Sequence, residues 1–97
     1  MIRHTVVFRL RHPRGSEAEQ SFLADAGALA SIPGVQHFEQ LRQLSTKNDF
    51  TFGLSMEFAG PSEYEAYNTH PSHVAFLQGR WVPEVEDFLE IDYAPID

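Results

Sequence analysis

Tyr67, His70 and His73 follow one another at intervals of three in the stretch Tyr67-Asn68-Thr69-His70-Pro71-Ser72-His73. Such spacing brings a phenol and two imidazoles to one side of a helical corner. These groups donate, accept or carry a proton near neutral pH, so the chemistry they suggest is acid–base catalysis or the binding of a polar ligand. Pro71 shapes the stretch: proline suits the first position of a helix and pushes its predecessor out of the α region. The spacing therefore predicts two short helices meeting at a polar corner, with Thr69 or His70 as the second N-cap. His73 then lies in a first turn, where free N–H groups and the positive end of the helix dipole oppose protonation. A buried network of structural histidines is the alternative reading.

His4 is the fourth polar group of interest. Ile2 to Leu10 alternate, with Ile2, His4, Val6, Phe8 and Leu10 on one parity, so the imidazole of His4 stands where an aliphatic side chain would serve. It must be hydrogen-bonded or face a cavity. If the first strand and the proline-started helix face each other, His4, Tyr67, His70 and His73 converge in a crevice whose apolar walls include Phe76 and Trp81. A metal site on His4, His70 and His73 is disfavoured, because no carboxylate at helical spacing completes it and His70 is constrained by Pro71. No cofactor is expected.

Seven basic against fourteen acidic residues give a net charge of −7, which repels nucleic acid and anionic membranes. Without cysteine there is neither a disulfide framework nor a thiolate metal site. The N-terminus opens on a strand pattern with no apolar leader, and no apolar run reaches the length of a membrane span, so a cytoplasmic protein is expected.

The remaining elements position these groups. Ser16-Glu17-Ala18-Glu19 reads as a capping box, and a helix is expected from Glu17 to about Ala30, ended by Ile32-Pro33-Gly34. Val35 to Leu44 lacks clean alternation and reads as an edge strand with a possible bulge, on which His37 is an exposed or interface residue rather than a ligand. Phe50, Phe52, Leu54, Met56 and Phe58 alternate with small or polar residues in a strong strand. A helix carrying Tyr64 and Tyr67 follows Gly60-Pro61, and the piece after the corner runs from His73 to Trp81, where Pro83 should interrupt it. Asp87 to Tyr93 forms the last strand, its inward parity undecided by pattern. The order β-α-β-β-α-β in 97 residues predicts a single domain, 1–97, of the α+β class: a ferredoxin-like four-stranded antiparallel sheet with both helices on one face. The other face would expose Thr5, Val7, Thr51, Ser55 and one parity of the last strand, a surface that a second copy could cover to form a barrel-like homodimer.

The residues Ile2-Arg3-His4, Ile32-Pro33-Gly34-Val35, Phe52-Gly53, Met56-Glu57-Phe58, Ala66-Tyr67 with His70-Pro71-Ser72-His73, Trp81 and the closing Asp92-Tyr93 together resemble the dimeric α/β-barrel proteins. That family is also called the stress-responsive A/B barrel (Dabb) family, and the resemblance spans essentially the whole chain. It is similar in particular to a plant polyketide-cyclase branch that performs an intramolecular aldol condensation. The resemblance implies His73 as general base, Tyr67 as hydrogen-bond donor to the enolate oxygen, His4 in the pocket lining and Asp92 as a candidate to orient an imidazole. It implies a substrate site involving His70, Phe52, Phe76 and Trp81. Phe52 stands where the plant branch has a further pocket histidine, so the polar lining here is thinner. Two functions follow: acid–base chemistry on a carbonyl compound, or a non-catalytic stress-response or ligand-sequestering dimer. A purely structural assembly module is the third reading. An apolar cavity of about 300 Å³ or more between helices and sheet would favour a ligand.

Overall fold

β1 (Ile2–Leu10) and β3 (Phe52–Phe58) form the centre of the sheet, because each alternates large apolar side chains with smaller or polar ones at a period of two. In the computed structural model, which describes residues Met1–Asp97, they pair antiparallel with His4 opposite Met56 and Phe8 opposite Phe52. β2 (Gln36–Arg42) adds outside β3 and β4 (Val85–Tyr93) outside β1, giving the antiparallel order β2-β3-β1-β4. With α1 (Glu17–Gly27) after β1, and α2 (Pro61–Thr69) and α3 (Pro71–Phe76) after β3, the chain has the expected ferredoxin-like order.

One aromatic cluster joins helices to sheet. Phe22 of α1 is fully buried, and its ring centroid lies 5.8 Å from Phe8, 5.4 Å from Phe76 and 6.2 Å from Trp81. These are the tilted contacts that aromatic quadrupoles prefer. α1 starts at Ser16, whose hydroxyl accepts from the Glu19 N–H at 3.2 Å. The Glu19 carboxylate reaches back to the Gly15 N–H at 3.0 Å, one residue earlier than a standard capping box. The α-helix ends at Gly27 rather than near Ala30, and Ala28–Ser31 tighten into a 3-10 turn. Gly34 then takes φ 91°, a conformation that favours glycine, as the chain turns into β2.

Further sequence expectations change. The strand expected from Val35 to Leu44 is shorter, and its bulge falls at His37, which adopts φ 50° while its Nδ1 lies 2.7 Å from Glu57 Oε2. Pro83 does not interrupt the second helical piece. After α3 the backbone widens into a π turn over Leu77–Trp81 and runs on as α4 (Val82–Glu84). The missing Pro83 N–H and its ring would disturb an α-helical bond to Gly79, and the wider turn removes that conflict. Arg80 braces this segment, its guanidinium 2.6 Å from Glu84 Oε2 and 2.7 Å from Asp25 Oδ2 of α1. The last strand begins at Val85 rather than Asp87, and its register with β1 decides its parity. His4 faces Asp92, Val6 faces Glu90 and Phe8 faces Phe88, so these three β4 residues share the helix side.

Leu89, Ile91 and Tyr93 therefore lie on the uncovered face with Val7 and Leu41, and Ile91 and Tyr93 are 40% and 52% exposed. Ser55 is buried on this same face, contrary to the expectation of exposure. Gly53 is buried as well, because Val7 and Leu41 lean across it, each within 4 Å of where a Cβ would stand.

Candidate functional site

Between sheet and helices lies a cavity of about 500 Å³. Its deep wall is apolar, formed by Val6, Leu54 and Met56 of the sheet and Leu29 and Phe76 of the helical layer. Leu77, Trp81 and Val82 from the π turn and α4 continue the wall. Asn68, Val82, Phe88 and Glu90 line it while exposed, and so mark its mouth along β4.

Besides Asn68 and Glu90 at the mouth, three polar side chains reach this crevice. His4 reaches it from β1. Its Nδ1 lies 2.6 Å from Asp92 Oδ1 and 2.9 Å from the Tyr64 hydroxyl, which itself donates to Asp92 Oδ2 at 2.7 Å. A carboxylate only accepts, so this pattern assigns the proton to Nδ1. Nε2 keeps its lone pair and has no protein partner, and the His4 side chain lines the cavity. Cross-strand register is what brings the carboxylate to the imidazole: His4 and Asp92 are directly paired residues of β1 and β4.

His73 reaches the cavity from α3. Pro71 occupies the helix start, and the N-cap is His70, whose Nδ1 accepts from the Ser72 N–H at 3.1 Å. His73 Nδ1–H donates to the Asn68 carbonyl at 3.1 Å, one of the acceptors that the end of α2 leaves free. Its Nε2 is therefore the free nitrogen. Burial holds the His73 pKa below its ordinary value of 6.5, outweighing the Asn68 bond, which acts in the opposite direction. The unfolded chain thus takes up this proton at higher pH than the folded one, and stability contributed here is lost as pH falls below about 6.5. His73→Phe is expected to flatten the loss of stability between about pH 7 and about pH 5, as followed by urea unfolding. A slope equal to that of the unsubstituted protein would refute this.

Tyr67 stands between the two histidines. It is 2% exposed, with its ring centroid 4.3 Å from His73 and 6.2 Å from His4. Its hydroxyl makes no hydrogen bond within the protein, and desolvation, seconded by the charge of Glu90, pushes its pKa up. Tyr67 is a neutral donor at physiological pH.

The structure thus gathers His4, Tyr67, His73, Phe76 and Trp81 around one cavity, with Asp92 behind His4. It does not bring His70 there, because its ring is committed to capping α3. Phe52 is also outside the lining: it packs on Phe8 at 5.8 Å and under the Arg42 guanidinium at 5.4 Å. The imidazole that Asp92 orients is that of His4.

Residues 2–95 match the family described as the stress-responsive A/B barrel domain, Dabb. The chain is a member of the Dabb family. Among solved structures it is similar to a Dabb family protein with a ferredoxin-like fold from Mesorhizobium loti, at 61% identity and TM-score 0.97, covering 99% of this chain and 97% of that one. It is similar in fold to a dimeric ferredoxin-like protein of unknown function from Thermobifida fusca, at 23% identity and TM-score 0.80, covering 97% and 90%. A hydroxynitrile lyase from Passiflora edulis shares the fold at 19% identity and TM-score 0.82, covering 95% and 90%. No match is found among curated proteins. No helix of this Dabb protein is long and apolar enough to cross a membrane.

Two site residues of the Dabb chain escaped the sequence reading. Tyr64 lies one helical turn before Tyr67, a spacing that could have placed both on one face. Glu90 lies two residues before Asp92 and hence on its side of the strand, with Oε1 3.6 Å from His4 Nδ1.

Proposed function

We propose that this Dabb protein is a small-molecule enzyme that moves a proton at or beside the carbonyl carbon of an apolar substrate held between sheet and helices. The observation that carries this reading is the His4 imidazole, locked by Asp92 and Tyr64 with Nε2 free, in an apolar cavity that the Tyr67 hydroxyl and His73 also enter. Removing the proton α to a carbonyl places its electron pair in a new C=C bond and negative charge on the carbonyl oxygen. His4 Nε2 takes that proton, Tyr67 donates a hydrogen bond to the oxygen, and return of the proton from His4 completes the cycle. Asp92 holds the His4 proton on Nδ1 and leaves Nε2 without a protein partner to accept one, whereas burial disfavours an imidazolium on His73. The base is therefore His4 rather than the His73 that the family resemblance implies, and neutral His73 accepts a hydrogen bond from a substrate hydroxyl. The same groups would take the hydroxyl proton of a hydroxynitrile as its C–CN bond breaks, its electron pair leaving with cyanide, which takes the proton back from His4 as the carbonyl forms, in line with the lyase that shares the fold. Deuterium incorporation α to the carbonyl of uncharged aryl ketones in D2O, followed by NMR, tests the reading alongside cleavage of mandelonitrile. Ligand binding with neither reaction above buffer would instead support a ligand-sequestering protein, a reading favoured by the way Tyr64, His4 and Asp92 tie α2, β1 and β4 together.

The chain acts as one domain, 1–97, in a homodimer closed through the uncovered sheet face into a barrel. Apolar Val7, Leu41, Leu89 and Ile91 around the close-packed Gly53 support this, as does the dimeric relative of the same fold. Ile91→Asp places a charge on that face and is expected to yield monomers by analytical ultracentrifugation. Persistence of the dimer would rule out sheet-to-sheet closure.

A further inference from the structure

The cavity contains groups that can bear negative charge and none that can bear a permanent positive one. No lysine or arginine lines it. Arg80, adjacent to Trp81, is held away by Glu84 and Asp25, and Arg9 by Glu86 and Asp49. Glu90, by contrast, stands at the mouth with its side chain 50% exposed. Asp92 lies behind His4, next to it on the same side of β4.

We propose that this pocket selects uncharged or cationic ligands and excludes carboxylates and phosphates, with Glu90 as the residue that sets this preference. The inference rests on the reading of the cavity as a substrate site and names the class of substrate it takes: a carbonyl compound with an apolar body and no anionic group. An anion brought beside Glu90 would lose hydration without gaining a partner. A distal ammonium or other donor on the ligand gains one. Opposite charge at the entrance also speeds the approach of cations, an effect that salt screens.

Three ketones of matched shape serve as probes: para-methylacetophenone, para-acetylbenzoate and para-(aminomethyl)acetophenone. In NMR titrations the neutral and ammonium probes are expected to bind, and the carboxylate at least about tenfold more weakly, as a single charge pair near a protein surface allows. Glu90→Gln, checked for native folding by circular dichroism, is expected to recover most of the lost carboxylate affinity. It should also reduce the salt dependence of ammonium binding. Equal affinity for all three probes in the unsubstituted protein overturns the inference, and so does a Glu90→Gln variant whose affinities match it. If none of the three binds, the substrate site itself falls. Charge-selective binding without proton exchange removes the catalytic reading and leaves the selectivity standing.

Discussion

His4→Phe is expected to lower the rate of α-proton exchange by about 10²–10⁴-fold, the range for losing a positioned general base. The substitution removes Nε2 while keeping a planar ring in the strand. Asp92 and Tyr64 remain hydrogen-bonded to each other at 2.7 Å, and the Asp92 side chain is 39% exposed, so no charge is stranded in the core. Stability should consequently change little. Asp92→Asn should reproduce much of the loss in rate with binding retained, because the amide no longer enforces the proton on Nδ1. A large fall in melting temperature with unchanged exchange would assign these side chains to structure alone.

Phe22→Ala should cost about 3–5 kcal/mol of folding stability, the range for truncating a buried aromatic ring. For a small domain that is a large part of the whole. Phe22 touches Phe8, Phe76 and Trp81, and the Arg80 guanidinium lies 5.9 Å from its ring centre. Its removal leaves a hollow behind the cavity wall, which Phe76 and Trp81 would relax to fill. Ligand affinity should fall with stability. Urea denaturation measures the first effect, and a cost under about 1 kcal/mol would mean that the cluster collapses without penalty.

The central strands were legible because β1 and β3 each carry their large apolar side chains mainly on one parity, so alternation alone placed Phe8, Leu54, Met56 and Phe58 inside. β2 was blurred by its bulge, which depends on a positive φ at His37 that no periodicity announces. β4 carries apolar residues on both parities, since Phe88 borders the cavity and Leu89 and Ile91 the uncovered face. Only pairing with β1 resolves that ambiguity, and the same pairing hands Asp92 to His4. His70 shows the opposite limit. Its spacing from Tyr67 and His73 is right for a shared face, yet Pro71 demands an N-cap, and that local demand takes the imidazole. Pro83 was read as a stop because a π turn has no simple signature in composition.

Along the outer edge of the sheet, β4 carries Glu86, Asp87, Glu90 and Asp92, and Arg9 is the arginine bonded to the first two. Two molecules approaching edge to edge, as in amyloid-like strand addition, would set these like charges against one another. The acidic rim thereby guards the chain against runaway polymerisation, and leaves the flat apolar side of the sheet as the less repulsive way for copies to meet.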